Sequence, residues 1–413
     1  MKYGCIGEHL KHSFSKEIHG ALADYEYEIR EIEREALGEF AASRDFLAIN
    51  VTIPYKEEIM PYLYEIDDKA RAIGAVNTVV NRDGRLYGYN TDFFGMTSLI
   101  RHAGVEIKGK KVVILGTGGT SKTSLAVARA LRAAEIIRVS RTAREDAVSY
   151  CELYEKHADA DVIINTTPSG MFPNIFDAPV DISKFKNLSG VIDAVYNPLR
   201  TPLILAARER GILAEGGLYM LVAQAVRASE IFVDTKYPDG ECERIYEKIK
   251  REKENIVLIG MPACGKSTVG KLLSERLGRD FIDTDKLIEE NAGMTIPEIF
   301  EKFGEKKFRE LETEAIKEVA SVNRAVIATG GGAILKKENV SALRENGRIY
   351  FIDRPLSALI PTDDRPLSKT KEAIVERYNE RYEIYCSSAD VKVDASCDAA
   401  GVAEKINGDF NKC

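Results

Sequence analysis

A chain of 413 residues, 45% hydrophobic and 30% charged, is too long for one ordinary hydrophobic core and has the make-up of a soluble globular protein of two or more domains. Its formal net charge of −7 comes with no basic tract, which weighs against nucleic acid, and no apolar run approaches membrane-spanning length. The start lacks the features of a signal peptide, and Cys5, Cys151, Cys242, Cys264, Cys386, Cys397 and Cys413 form no C-x-x-C pair, so a cytoplasmic protein without zinc or a disulfide framework is expected.

From residue 1 to about 92, strand-like runs at 3–7, 46–52 and 76–81 alternate with helical stretches at 15–25 and 56–64, the mark of α/β structure. Polar clusters sit at or near the strand ends: His12-Ser13-Phe14-Ser15, the stretch from Asn50 through Thr52 to Lys56, Gly74 to Thr78 around Asn77, and Asn90-Thr91-Asp92. Hydroxyls, amides, one lysine and one aspartate are the inventory needed to hold a polyhydroxylated ring and move a proton at its reacting oxygen.

A strand at Lys111–Leu115 runs into Gly116-Thr117-Gly118-Gly119-Thr120 and Ser121, then a helix over 122–132 and a strand over 136–140. This is a dinucleotide-binding βαβ unit, whose glycine turn places a pyrophosphate on a helix N-terminus; Ser121 occupies the third glycine position. An NAD site wants an acid at the end of the second strand. This chain has Ser140, Arg141, Thr142 and, beyond them, Arg144, so guanidiniums are available for a 2′-phosphate and NADP(H) is favoured. Strands are expected at 162–165 and 190–193, and a long apolar helix at 218–232. The charged stretch 236–254 reads as a boundary with a solvated helix.

The apolar run Asn255–Ile259 leads directly into Gly260-Met261-Pro262-Ala263-Cys264-Gly265-Lys266-Ser267-Thr268, which fits G-x-x-x-x-G-K-[ST] without a mismatch. The backbone from Ala263 to Thr268 is expected to cradle ATP phosphates, Lys266 to reach the β and γ phosphates, and Ser267 to ligate Mg²⁺. Asp283 and Asp285 follow at i, i+2 spacing near a strand end. Asp283 is assigned to the Mg²⁺ shell, and Asp285 to accepting or orienting an acceptor hydroxyl. Arg309, after Phe308, supplies a guanidinium for an acidic acceptor, and Gly330-Gly331-Gly332 lets backbone approach a ligand closely.

Taken in order, HSFS, NVTIPYK, GAVNT, GYNTDFFG, LGTGGT, SRTAR, INTTPSGM, YNPLRTPL and GGLYMLVAQA make residues 1 to about 240 resemble shikimate dehydrogenase. The resemblance implies that Ser13, Ser15, Thr52, Asn77, Tyr196 and Gln224 bind shikimate, that Lys56 and Asp92 form the catalytic pair, and that Gly217 borders the nicotinamide. The later series GMPACGKST, FIDTD, FGEKKFRELE, ATGGGAIL and RPL resembles shikimate kinase over about 254–395. It implies that Asp285, Arg309, Gly331 and Arg381 bind shikimate, and that Arg365 reaches ATP from a lid. Two departures stand out: Glu383 holds the proline position of the R-x-P-L-Y pattern around Arg381, and the stretch 356–364 lacks the arginine that opens the family's lid.

The expected architecture is α/β throughout. A substrate domain (1–95 with 218–235) and a Rossmann NADP-binding domain (96–217) make up residues 1–240, a linker spans 241–253, and a P-loop kinase domain with a parallel sheet spans 254–413. The expected function is bifunctional: NADPH-dependent reduction of 3-dehydroshikimate to shikimate, then ATP- and Mg²⁺-dependent phosphorylation to shikimate 3-phosphate, by a monomer or homodimer. The alternatives are a metabolite sensor built from catalytically idle domains and, among enzymes, a quinate-preferring dehydrogenase joined to a kinase of another small polyol. The presence of Lys56, Asp92, Lys266, Ser267 and Asp285 weighs against the sensor.

Overall fold

Short apolar and aromatic runs build the first sheet from β1 (Tyr3–Gly7), β2 (Tyr27–Glu31), β3 (Ala48–Val51), β4 (Glu65–Ile66), β5 (Thr78–Arg82) and β6 (Arg85–Tyr89), in the order β2-β1-β3-β5-β6-β4. Strand β1 is parallel to β2 and β3, whereas β5 runs antiparallel to both β3 and β6. The β5–β6 hairpin turns on Asp83 and Gly84, whose φ of 52° and 78° suit the tight turn that matches strand twist. Helices α1 (Ser15–Leu22), α2 (Leu37–Ser43), α3 (Asp68–Ile73) and α4 (Asp92–His102) intervene or follow. The helix expected over 56–64 is absent: that stretch is a run of turns closing in a 3₁₀ turn, Met60–Tyr62. Pro61 has no N–H to continue an α-helical ladder there.

The second sheet takes β7 (Lys111–Leu115), β8 (Glu135–Ser140), β9 (Val148–Ser149), β10 (Val162–Asn165), β11 (Gly190–Asp193) and β12 (Leu213–Glu215), in the order β12-β11-β10-β7-β8-β9. All its pairings are parallel, and the order reverses at β7, the arrangement that opens a dinucleotide crevice at the strand ends. Helices α5 (Gly119–Ala130), α6 (Tyr150–Lys156) and α7 (Pro202–Glu209) connect these strands. Apolar cores lie on both faces: Val113, Leu115 and Ile163 on one, Val112, Ile114 and Ile164 on the other. This is why the inner strands read as unbroken apolar runs.

Helix α8 (Leu218–Val233) returns to pack on α4 so closely that a Cβ added to Gly95 would lie 2.7 Å from the Met220 carbonyl oxygen. Helix α9 (Glu241–Lys253) corrects the expectation of a solvated linker. Its charged residues cover one face only, while Ile245, Tyr246 and Ile249 are buried with Phe14, Ile18, Leu218 and Val222. The i, i+1, i+4 spacing forms a narrow apolar stripe that overall charge conceals.

The chain divides into two compact units, Met1–Ile249 and Lys250–Cys413. The second is built on β13 (Asn255–Ile259), β14 (Asp280–Asp283), β15 (Ala325–Ala328), β16 (Gly347–Asp353) and β17 (Val391–Asp394), all parallel in the order β14-β15-β13-β16-β17. Its helices are α10 (Lys266–Leu277), α11 (Thr284–Ala292), α12 (Ile296–Ala320), α13 (Lys337–Asn346), α14 (Lys371–Ser388) and α15 (Ala399–Phe410). A capping box at Thr295 and Glu298 starts α12, and Gly304 breaks its helical geometry at φ 76°. Strand order reverses at β13, so the loop after β13 opens at the crevice.

This computed structural model describes residues 1–8, 10, 13–142, 144–359 and 370–412. Arg365 and most of the 356–364 stretch lie outside the described residues. Among those described, no helix is long and apolar enough to cross a membrane.

Candidate active sites

In the first unit the turn after β3 delivers Lys56, and the first turn of α4 delivers Asp92. Lys56 Nζ donates to Asp92 Oδ2 at 2.6 Å, and both side chains are largely buried, at 13% and 7% exposure. A carboxylate in the first helical turn is favoured by the unpaired backbone N–H groups there. The other oxygen, Asp92 Oδ1, accepts from Asn77 Nδ2 at 2.9 Å, so the carboxylate cannot swing away from the lysine. Asn77 is locked in turn: its Oδ1 accepts the Thr91 backbone N–H at 2.7 Å, and Asn50 Nδ2 donates to the Asn77 carbonyl at 3.3 Å. Gln224 of α8 closes the ring, its Oε1 accepting from Thr91 Oγ1 at 3.4 Å and Asn77 Nδ2 at 3.5 Å.

At one rim, Ser13 Oγ donates to Ser15 Oγ at 3.0 Å. Burial pushes the neighbouring Tyr196 phenol up to about 12, while the Ser13 hydroxyl beside it pulls the other way. Tyr196 lies on the loop after β11, which Asp193 holds: its carboxylate accepts from Thr201 Oγ1 at 2.8 Å, Asn165 Nδ2 at 2.9 Å and the Val195 N–H at 3.0 Å. The same loop supports Gly217, whose N–H donates to the Val195 carbonyl at 2.8 Å and where any Cβ would strike the Ala194 carbonyl. Thr52 is one turn before Lys56, with its carbonyl accepting from the Tyr55 N–H at 2.9 Å.

The glycine turn from Gly116 to Gly119 opens α5, with Thr120 in its first turn. A Cβ built on Gly119 would stand 3.7 Å from Lys56 Cδ, so the turn lies alongside the lysine. At the end of β8, Ser140 is buried while Arg141, Thr142 and Arg144 are exposed.

In the second unit the loop from Gly260 curls through positive φ at Ala263 (63°) and Gly265 (99°) into α10. A non-glycine residue in the left-handed region is the sort of strain that persists where the surroundings impose it. Lys266 Nζ lies across the loop, donating to the Gly260 carbonyl at 2.8 Å and the Met261 carbonyl at 3.0 Å. Ser267 Oγ donates to Asp283 Oδ2 at 2.7 Å, and Asp283 Oδ1 caps α11 through the Asp285 N–H at 3.1 Å.

Across from the loop, Arg309 is gripped by Glu312 Oε2 at 2.7 Å and Glu305 Oε1 at 3.1 Å. Arg381 NH1 and the Tyr385 hydroxyl both donate to the Gly331 carbonyl. Burial pushes the Glu312 carboxyl up, and the Arg309, Arg381 and Lys336 cations around it pull the other way. Burial lowers Arg381, and the nearby Arg309 guanidinium adds to that. Arg309, Arg381 and Lys336 thus converge on one buried carboxylate, with the exposed Glu305 and Glu338 pairing with Arg309 and Lys336 as well.

A model of the shikimate dehydrogenase substrate binding domain matches residues 5–79, and one of shikimate kinase matches residues 262–409. A shikimate dehydrogenase (NADP(+)) of Clostridium perfringens is 37% identical over 266 residues, 60% of this chain and 98% of that protein. The chain belongs to the shikimate dehydrogenase family. Its first unit is similar to shikimate dehydrogenase 1 of Peptoclostridium difficile, at 37% identity and TM-score 0.57, covering 60% of this chain and 98% of that one. It is also similar to the Thermus thermophilus enzyme in complex with NADP(H) and shikimate, at 26% identity and TM-score 0.55, covering 60% and 99%. A shikimate dehydrogenase unit and a shikimate kinase domain are thus joined in one chain.

The dehydrogenase unit gathers Lys56, Asp92, Asn77 and Gln224 into one hydrogen-bonded cluster, and Ser13, Ser15 and Tyr196 at a rim. The kinase domain brings Asp285, Arg309, Gly331 and Arg381 to one side of the loop that holds Lys266. For Mg²⁺, the adjoining Ser267 and Asp283 oxygens fit an ion that keeps waters and takes phosphate oxygens, although no group of three or more His, Cys, Asp or Glu placed to hold a metal occurs among the described residues. Two residues of consequence were not singled out from sequence. Glu312 had a readable signal, its i, i+3 spacing from Arg309. Arg138 had one also, a charge inside a parallel strand, and it bonds the Thr117 carbonyl of the glycine turn at 3.2 Å.

Proposed function

We propose that the chain catalyses two consecutive reactions, NADPH-dependent reduction of 3-dehydroshikimate to shikimate and transfer of the γ-phosphoryl group of ATP to the shikimate 3-hydroxyl. What carries the reading is the place of Lys56, bonded to Asp92 on one side and flanking the glycine turn on the other. NADPH supplies the hydride. As the ketone carbon accepts it, the oxygen becomes an alkoxide that must gain a proton. The Lys56 ammonium stabilises the developing charge and donates that proton, while Asp92 keeps the ammonium oriented and takes a ring hydroxyl. Tyr196, Ser13, Ser15, Thr52, Asn77 and Gln224 hold the carboxylate and hydroxyls of the ring.

In the kinase domain Lys266 leaves its carbonyl partners for the ATP phosphates, and Ser267 with Asp283 would hold Mg²⁺. Arg309 and Arg381 take the shikimate carboxylate, which fixes the ring so that Asp285 accepts the proton of the attacking hydroxyl. The new O–P bond forms as the bond to ADP breaks. Assays with shikimate alone test both halves: NADP⁺ reduction that disappears in Lys56→Ala but survives in Lys266→Ala, and ADP release with the opposite pattern. Retention of both activities in both variants would refute the assignment.

A further inference from the structure

We propose that Arg138 sets the cofactor preference of the dehydrogenase unit by neutralising Asp146, a carboxylate in the turn that presents Arg144 to the 2′-phosphate of NADP(H). The proposal rests on reading 140–144 as the 2′-phosphate loop.

Strand β8 is paired on both sides, to β7 and to β9, and its residues alternate between the two faces of the sheet. Ile136, two residues before Arg138 and therefore on the same face, packs into the apolar core with Val127 and Ala128 of α5. Position 138 would ordinarily be apolar too. A guanidinium there, with its side chain 11% exposed, must be matched by acceptors.

The acceptors all belong to the cofactor site. Arg138 NH2 donates to the Thr117 carbonyl at 3.2 Å, and Nε to Ser121 Oγ at 3.4 Å. Ser121 gives its own proton to the Gly116 carbonyl at 2.6 Å, which turns its lone pairs toward the guanidinium. The third edge, NH1, is ion-paired with Asp146. Arg138 is thus fixed to the glycine turn at one end and holds Asp146 at the other.

Asp146 lies in a tight turn, closed by the Arg144 N–H on the Ala147 carbonyl at 2.8 Å and the Ala147 N–H on the Arg144 carbonyl at 3.3 Å. An unpaired carboxylate two residues from Arg144 would repel a phosphate dianion and compete for the same guanidiniums. Both acids of the turn, Glu145 and Asp146, are exposed, the Asp146 side chain to 63%; what sets Asp146 apart is the ion pair with Arg138. NADH has no 2′-phosphate, so freeing Asp146 acts on NADPH alone.

The test uses Arg138→Met, Arg138→Lys, Asp146→Asn and Arg138→Met/Asp146→Asn in the whole chain, with kcat/KM and direct Kd for NADPH and NADH, and shikimate binding by calorimetry as the folding control for the dehydrogenase unit. Arg138→Met lowers the NADPH to NADH ratio by about tenfold, and adding Asp146→Asn restores most of it. Arg138→Lys stays near wild type. Asp146→Asn alone tightens NADPH by roughly threefold and leaves NADH unchanged, a prediction that stands even if Arg138→Met does not fold. Equal losses for both cofactors, or no rescue by Asp146→Asn, would overturn the proposal and leave Arg138 a structural strut. Wild-type protein with no NADPH preference would instead overturn the underlying reading of 140–144, and the proposal with it.

Discussion

Asp285 and Glu312, from different helices of the kinase domain, converge on the backbone of Gly330: a Cβ placed there would lie 2.5 Å from Asp285 Oδ1 and 3.0 Å from Glu312 Oε1. The glycine is what allows the proposed base and the partner of Arg309 to flank one stretch of backbone. Gly330→Ala must displace at least one carboxylate, and either movement disturbs proton acceptance or the anchoring of the shikimate carboxylate. Kinase turnover should fall about a hundredfold or more, with NADP⁺ reduction by shikimate unchanged. Unaltered ADP release by Gly330→Ala would mean that neither carboxylate contributes as described.

Lys56→Ala should lower dehydrogenase kcat by roughly 10²–10⁴ while shikimate binding, measured by calorimetry, stays within a few-fold, because the ammonium acts chiefly on charge that develops during reaction. Asp92→Asn should also lower kcat, and weaken binding more, since the ring loses an ionised partner. A turnover number unchanged in Lys56→Ala would remove that residue from the mechanism.

Glu345, on α13, is buried, and its Oε2 has no hydrogen-bond partner. Burial alone pushes its carboxyl from an ordinary 4.5 up to about 8. The folded chain therefore holds this proton more tightly than the unfolded chain. Below the unfolded value both states are protonated and the site contributes its full stability. From there up to about 8 each rise in pH withdraws stability, and above it the loss is complete. Glu345→Gln should flatten this dependence and raise stability at about pH 9 on the order of 2 kcal/mol, read by denaturant unfolding of the kinase domain. An identical pH profile in the variant would show that the carboxyl titrates normally.

How much of this was legible in sequence followed from how local each signal is. The inner parallel strands Val162–Asn165, Gly190–Asp193, Asn255–Ile259 and Ala325–Ala328 are buried on both faces, and their apolar runs gave their bounds directly. Strand Arg85–Tyr89 alternates and faces solvent on one side; only the Asp83-Gly84 turn announced it, and it was not expected. The glycine turn and phosphate loop are contiguous motifs and were readable. Arg138 and Glu312 take their meaning from partners that folding brings to them, Thr117 and Asp146 for the one, Arg309 and the Gly330 backbone for the other. Helix Glu241–Lys253 misled because its charge dominated the reading, while three apolar residues at helical spacing decided its burial.

The central claim, that one chain makes shikimate and then phosphorylates it, is tested most directly by giving the purified protein 3-dehydroshikimate, Mg²⁺ and ATP, with and without NADPH, and following NADPH absorbance and ADP together. The account predicts that ADP appears only when NADPH is present, after a lag in which shikimate accumulates, and that Lys56→Ala abolishes ADP release until shikimate is added. ADP release from 3-dehydroshikimate without NADPH, or NADPH oxidation with no ADP even when shikimate is supplied, would contradict it.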